Sequence, residues 1–152
     1  MNTTDKKIQL ATATFQSGYN CAQSVLATFA FDFGMDRDTL LKMATPFGSG
    51  IAKTQQTCGA VTGALLAIGL KYGKGSNGTD NDKNFSYQLA QQLMAQFKEE
   101  HGCTNCLALM DNLDMNNPSD IAQIKARDLH NTYCVKYIQT AIKLTDEILQ
   151  QK

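Results

Sequence analysis

The sequence predicts an all-α protein, a single-domain bundle of about five main helices around a central, buried apolar helix. Three observations carry this expectation. Apolar residues recur at helical spacing, β-branched alternation is absent, and the only two prolines, Pro46 and Pro118, fall at helix boundaries. A chain of 152 residues has the size of one domain. Such a domain buries roughly 70% of its unfolded surface, so its core needs no disulfide staples. No repeat, low-complexity tract or shift in composition divides residues 1–152.

The elements follow in order. A first helix is expected from Thr4 or Asp5 to Gly18, where a residue without Cβ suits a left-handed C-terminal position. Asn20 can cap a second helix, with Gln23 returning the bond as a capping box. That helix carries Val25, Leu26, Phe29 and Ala30 on one side and is expected to stop at Gly34. Asp36 to Ala44 reads as a third helix, because Thr45 precedes Pro46 and is driven from helical geometry. Phe47-Gly48-Ser49-Gly50 reads as a loop.

Thr54 or Thr57 can cap the run Cys58 to Leu70, which is apolar all round and so reads as the central, fully buried helix. Gly59, Gly63 and Ala67 lie four apart on one face, which admits a closely packed neighbour. Internal glycines cost roughly 1 kcal/mol each against alanine in a helix, so packing or the site must offset them. Gly73 to Thr79 is a loop, and Asn81 or Asp82 opens a helix with Phe85, Leu89, Leu93 and Phe97 at steps of four, ending before Gly102. A brief helix follows from Thr104 to Met110. Pro118-Ser119-Asp120 then starts the last and longest helix, reaching about Gln150, with Cys134, Tyr137, Ile138, Ala141, Thr145 and Ile148 facing inward.

Charge excludes some functions. Fourteen basic and fourteen acidic residues cancel, leaving no field to draw nucleic acid or an anionic membrane. The N-terminal stretch lacks the apolar core of a secretory signal. The 13 residues from Cys58 to Leu70 are too few to span a bilayer. The expectation is a cytoplasmic protein with no membrane insertion and no nucleic-acid partner. In a reducing compartment its five cysteines are reactive or ligating groups, and the odd count argues against a paired framework.

Cys21, Cys58 and Cys106 each follow a residue able to cap a helix, namely Asn20, Thr57 and Asn105. Each thiol is therefore expected in a first helical turn, where free N–H groups and the helix dipole favour the thiolate. Cys134 is expected mid-helix on the inward face. Cys103-Thr104-Asn105-Cys106 is a single C-x-x-C, weak evidence by itself for a dithiol or half a zinc site. His130 lies four residues before Cys134 and shares its face, as a base or ligand beside the thiol or as a histidine with its ring in water. His101 reads as a cation at a helix C-terminus. Neither Phe47–Gly50 nor Gly73–Gly78 matches a phosphate or dinucleotide loop.

Gly18-Tyr19-Asn20-Cys21-Ala22-Gln23-Ser24-Val25-Leu26, then Phe47-Gly48-Ser49-Gly50-Ile51 leading to Cys58-Gly59-Ala60-Val61-Thr62-Gly63-Ala64, then Cys106 and Cys134, resembles the C_GCAxxG_C_C family of redox-active proteins. The resemblance covers nearly the whole chain. It implies that Cys21, Cys58, Cys106 and Cys134 are the signature set. Cys103 is extra, falling where the family more often has a small residue after His-Gly.

Three functions compete. In the first, a thiol oxidoreductase, Cys58 is the attacking thiolate and Cys21, Cys106 or Cys134 resolves the mixed disulfide, with Gly59 and Gly63 admitting a close approach. Its partner is a redox protein or a small molecule, and the sequence names no cofactor for it. In the second, the same four cysteines hold zinc or an iron–sulfur cluster. Four thiolates on a divalent ion leave a net charge of about −2, with no Lys or Arg adjoining Cys21, Cys58 or Cys106 to balance it. In the third, the protein is a non-catalytic helical interaction module whose cysteines pack. The first two require the four cysteines to converge.

Overall fold

The computed structural model describes residues 1–151, and among these the elements are all helical, with no strand. Right-handed α-helices run over Thr3–Gln16, Cys21–Thr28, Arg37–Ala44, Gly59–Tyr72, Asp80–His101, Cys106–Leu109, Pro118–Ala126 and Val135–Leu149. Short polar side chains set most of the starts. Asn2, Asn20, Asp36, Thr79, Asn105 and Asn117 each accept a hydrogen bond from a backbone N–H in the first turn, satisfying donors with no partner inside the helix. Asn20 with Gln23 forms the expected capping box, and Thr79 with Asp82 forms another.

The core lies where Cys21–Thr28 packs on Gly59–Tyr72, Thr3–Gln16 on Val135–Leu149, and Asp80–His101 on both Gly59–Tyr72 and Val135–Leu149. Phe29, Leu93, Phe97, Ile138 and Ile142 are fully buried there. A smaller cluster of Cys106, Met110, Leu113, Ile124 and Leu129 packs under the loops. Lys7 bridges Asp146 at 2.7 Å and Asp32 at 2.8 Å, tying the first helix to the last. No described helix is long and apolar enough to cross a membrane.

Several expectations need correction. The apolar run is not buried all round. Gly59, Ala60, Val61, Gly63, Ala64, Ala67 and Ile68 are buried, but Thr62, Leu65 and Leu66 are half-buried and Gly69 is exposed. A domain this small has too few elements to cover every side of one helix. Neither Thr54 nor Thr57 caps it; Cys58 itself occupies the N-cap. The second helix ends at Thr28 and passes through turns to Gly34. Thr45 stays in right-handed helical geometry at φ −51°, because Pro46 sits in a tight 3₁₀ turn over Thr45–Phe47. Thr79, not Asn81 or Asp82, caps the Asp80 helix, which is the longest.

The expected single helix from Pro118 to about Gln150 is two. Pro118–Ala126 stops at Asp128, whose φ of +51° is left-handed, and the chain restarts through a π turn over His130–Cys134. Aspartate tolerates that conformation better than most side chains, and Asn131 donates to its carboxylate at 3.0 Å. Cys134 thus ends the π turn instead of lying mid-helix.

Candidate functional site

Phe47 to Gln55 is not an ordinary loop. Ser49, Gly50, Ile51, Ala52 and Lys53 all have φ between +51° and +69°, and Gln55 follows at +54°. Five consecutive residues therefore make a left-handed turn, which costs roughly 1–2 kcal/mol per non-glycine residue. Backbone bonds hold it, from Gln55 N–H to the Ser49 carbonyl at 3.2 Å and from Gln56 N–H to that of Gly50 at 2.8 Å. Outside contacts pin it. Asn116 donates to the Lys53 carbonyl at 2.9 Å, while the buried Gln55 amide donates to the Leu113 carbonyl and accepts from Met115 N–H. Strain of this kind concentrates where a structure positions functional groups.

What the turn positions is a thiol. The Cys21 sulfur, at the first residue of its helix, lies near enough to the backbone N–H groups of Ser49, Ala22, Gly59 and Cys21 itself for them to favour its anion. Nearby, an isolated antiparallel bridge joins Thr57 to Asn105. Cys58 N–H donates to the Thr104 carbonyl at 2.8 Å and Cys106 N–H to that of Gln56 at 2.6 Å. Two helix starts are thereby zipped side by side, bringing Cys58 and Cys106 together across 48 positions of sequence. Cys134 arrives from the π turn.

All four thiols line one pocket of about 380 Å³, with Phe15, Tyr19, Leu109, Met110, Met115 and Tyr137 among its walls. Its lining holds no Asp, Glu, Lys or Arg. Gly59 lies in the wall, where a Cβ would stand 2.3 Å from the Cys21 sulfur. Gly63 is one turn deeper, against the Ala22 carbonyl. His130 lines the pocket, its Nδ1 3.9 Å from the Cys134 sulfur. Cys103 does not line it, and its sulfur lies 3.9 Å from the Asn105 carbonyl instead. The C-x-x-C is therefore not a dithiol within this pocket. All five cysteines are free, and among the described residues no three Cys, His, Asp or Glu side chains form a metal-holding group.

Sequence reasoning passed over Ser49, Gln55, Met110 and Tyr137. Met110 and Tyr137 carried only a core signal, and one glycine in five residues does not announce a left-handed turn. Tyr137 donates to the Leu109 carbonyl at 2.6 Å and so steadies the helix that carries Cys106.

Electrostatics reverses one expectation. Burial pushes all four thiols above their ordinary range, the reverse of the lowered values expected for Cys21, Cys58 and Cys106 at helix starts. At Cys21 burial is opposed by the four amides. Burial and then Cys21 raise Cys106 to about 12. Burial, Cys21 and Cys106 raise Cys134, and burial followed by Cys21 raises Cys58 well above its ordinary range, with Cys134 and Cys106 adding to it. The helix-start effect is present, but desolvation of the charged form outweighs it.

The sign has a consequence for stability. These thiols stay protonated in the folded state above the pH at which unfolded cysteine ionises, so their contribution is complete below that point and lost as pH rises. The melting temperature should be level up to about pH 8, then fall between about pH 9 and 12, with a smaller fall in Cys58→Ser. Melting followed by circular dichroism checks this; a level curve to pH 11 would contradict it.

The family described as "Putative redox-active protein (C_GCAxxG_C_C)" matches residues 19–148. Comparison with curated proteins and with solved structures gives no match. The matched span holds the four pocket cysteines, the Cys58-Gly59-Ala60-Val61-Thr62-Gly63 element and the left-handed turn. The chain belongs to the C_GCAxxG_C_C family.

Proposed function

We propose that this protein is a thiol oxidoreductase in which Cys21 is the attacking thiolate and Cys106 the resolving thiol. The supporting observation is the gathering of four thiols from distant segments into one pocket, with one of them, Cys21, close to four backbone amides. Amides aimed at a sulfur favour its anion, and the thiolate is the nucleophile in exchange. Cys106 lines the same pocket and lies at the helix start zipped to that of Cys58.

The Cys21 thiolate attacks one sulfur of a substrate disulfide, forming a mixed disulfide and expelling the other half as a thiolate, which takes up a proton. Cys106 gives up its proton to solvent and attacks the Cys21 sulfur. A Cys21–Cys106 disulfide forms and the second half of the substrate leaves as a thiolate, protonated in turn. The substrate gains two electrons and two protons, and the protein loses the same. Cys58 and Cys134 share the pocket with this pair and are held as thiols by burial.

Anaerobic reaction of the reduced protein with a small neutral disulfide, hydroxyethyl disulfide, tests the reading. Proteolysis and mass spectrometry should recover the Cys21 and Cys106 peptides cross-linked, with Cys103 free. Recovery of Cys21 as a free thiol after full exposure to oxidant would overturn the assignment. Native protein carrying stoichiometric iron or zinc, and unfolding on chelation, would replace it with a metal-binding role for Cys21, Cys58, Cys106 and Cys134.

A further inference from the structure

Beside the exchange pair, a second group of donors meets in the pocket wall. The Cys134 sulfur lies 3.7 Å from Met110 Sδ and 3.9 Å from His130 Nδ1, and all three residues line the pocket. One comes from the end of the Cys106–Leu109 helix and two from the ends of the π turn. Met110 is 1% exposed, so its thioether is fixed by packing. Single π turns recur at functional sites.

We propose that Met110, Cys134 and His130 form a binding site for a soft monovalent metal ion, with copper(I) as its chemical type. The spacing fits. Donors about 2.0–2.3 Å from a shared ion stand roughly 3.5–4 Å from one another, which brackets the two separations from the Cys134 sulfur. The donor types fit as well. A thioether contributes little to a hard or borderline divalent ion, whereas thiolate and thioether together select copper(I).

Charge narrows the choice further. The pocket lining holds no Asp, Glu, Lys or Arg to balance an added charge. One thiolate with one monovalent ion is neutral, so binding leaves no net charge in a low-dielectric site, whereas a divalent ion would leave an unpaired one. On binding, the Cys134 S–H bond breaks, its proton goes to solvent and an S–metal bond forms, with no electron transferred. The site uses neither Cys21 nor Cys106 and so does not depend on the exchange reading.

Anaerobic titration with copper(I) against bicinchoninate, a coloured competing chelator, tests it on the full chain, with X-ray absorption on the loaded protein. Wild type should take one tightly held equivalent with two sulfurs and one nitrogen around the ion. Met110→Leu, which keeps volume and packing, and His130→Gln should each weaken binding at least about tenfold. Both variants should keep a native circular dichroism spectrum, and Cys103→Ser should bind as wild type. A sulfur-only environment, or wild-type affinity in Met110→Leu together with loss in Cys58→Ser, would move the ion to the four cysteines and overturn the proposal. No binding stronger than that of bicinchoninate would overturn it outright.

Discussion

Gly59→Ala is expected to cut the rate of disulfide exchange about 10- to 100-fold in a protein that still folds. The added Cβ would stand 2.3 Å from the Cys21 sulfur, 3.0 Å from the Phe47 carbonyl oxygen and 3.2 Å from Ala22 N. The sulfur is the mobile member of that set and must rotate off the amides of Ser49 and Gly59. A hydrogen bond to a charged group contributes about 1.5–3 kcal/mol, and 1.4 kcal/mol is tenfold. Alanine's better helix propensity, about 1 kcal/mol, offsets much of the crowding, so stability changes little. Stopped-flow kinetics with a neutral disulfide, alongside the pH profile of Cys21 alkylation, reads both consequences. The profile should move to higher pH. An unchanged rate and profile would mean that the amides do not set the reactivity of Cys21.

Gly63→Ala is expected to act on the fold instead, lowering the melting temperature by about 4–8 °C. Here the Cβ meets the Ala22 carbonyl oxygen at 2.7 Å, Val25 Cβ at 3.1 Å and Ala22 Cα at 3.2 Å. Backbone has no rotamer to change, so Cys21–Thr28 and Gly59–Tyr72 must separate. Overpacking of this kind costs about 1–3 kcal/mol, towards the upper end here, and the gain in helix propensity recovers about 1 kcal/mol of it. Gly69→Ala is the matched control, since its Cβ meets nothing within 4 Å, and its melting temperature should rise slightly. Equal behaviour of the two variants in a thermal melt would refute the close approach at Gly63.

These two glycines also mark how far the sequence could be read. The four-residue spacing of Gly59 and Gly63 signals a close neighbour, and the capping pair Asn20–Gln23 locates a helix start, because both are local. The break at Arg127–Asp128 has no such signal: no glycine or proline stands there, and only tertiary contacts choose left-handed geometry for Asp128. The same holds for Ser49 to Lys53, where contacts from Leu113, Met115 and Asn116 hold a conformation that Ile51 and Ala52 disfavour alone. The thiols divide along this line. Their placement at helix starts is written in Asn20 and Asn105, but the desolvation that overrides the helix effect comes from a pocket walled by residues of other segments, Tyr137 among them.

The pinned left-handed turn has a temporal side. Its anchors, Leu113, Met115 and Asn116, lie some 60 residues downstream of the residues they hold, and Cys134 is later still. A chain emerging from the ribosome has Cys21 and Cys58 outside the tunnel well before anything can hold Ser49 over Cys21. During synthesis those two cysteines are ordinary exposed thiols, open to whatever oxidant or metal the compartment offers. Only when the last third of the chain has docked do they become a shielded set, so the most vulnerable form of this protein is the unfinished one.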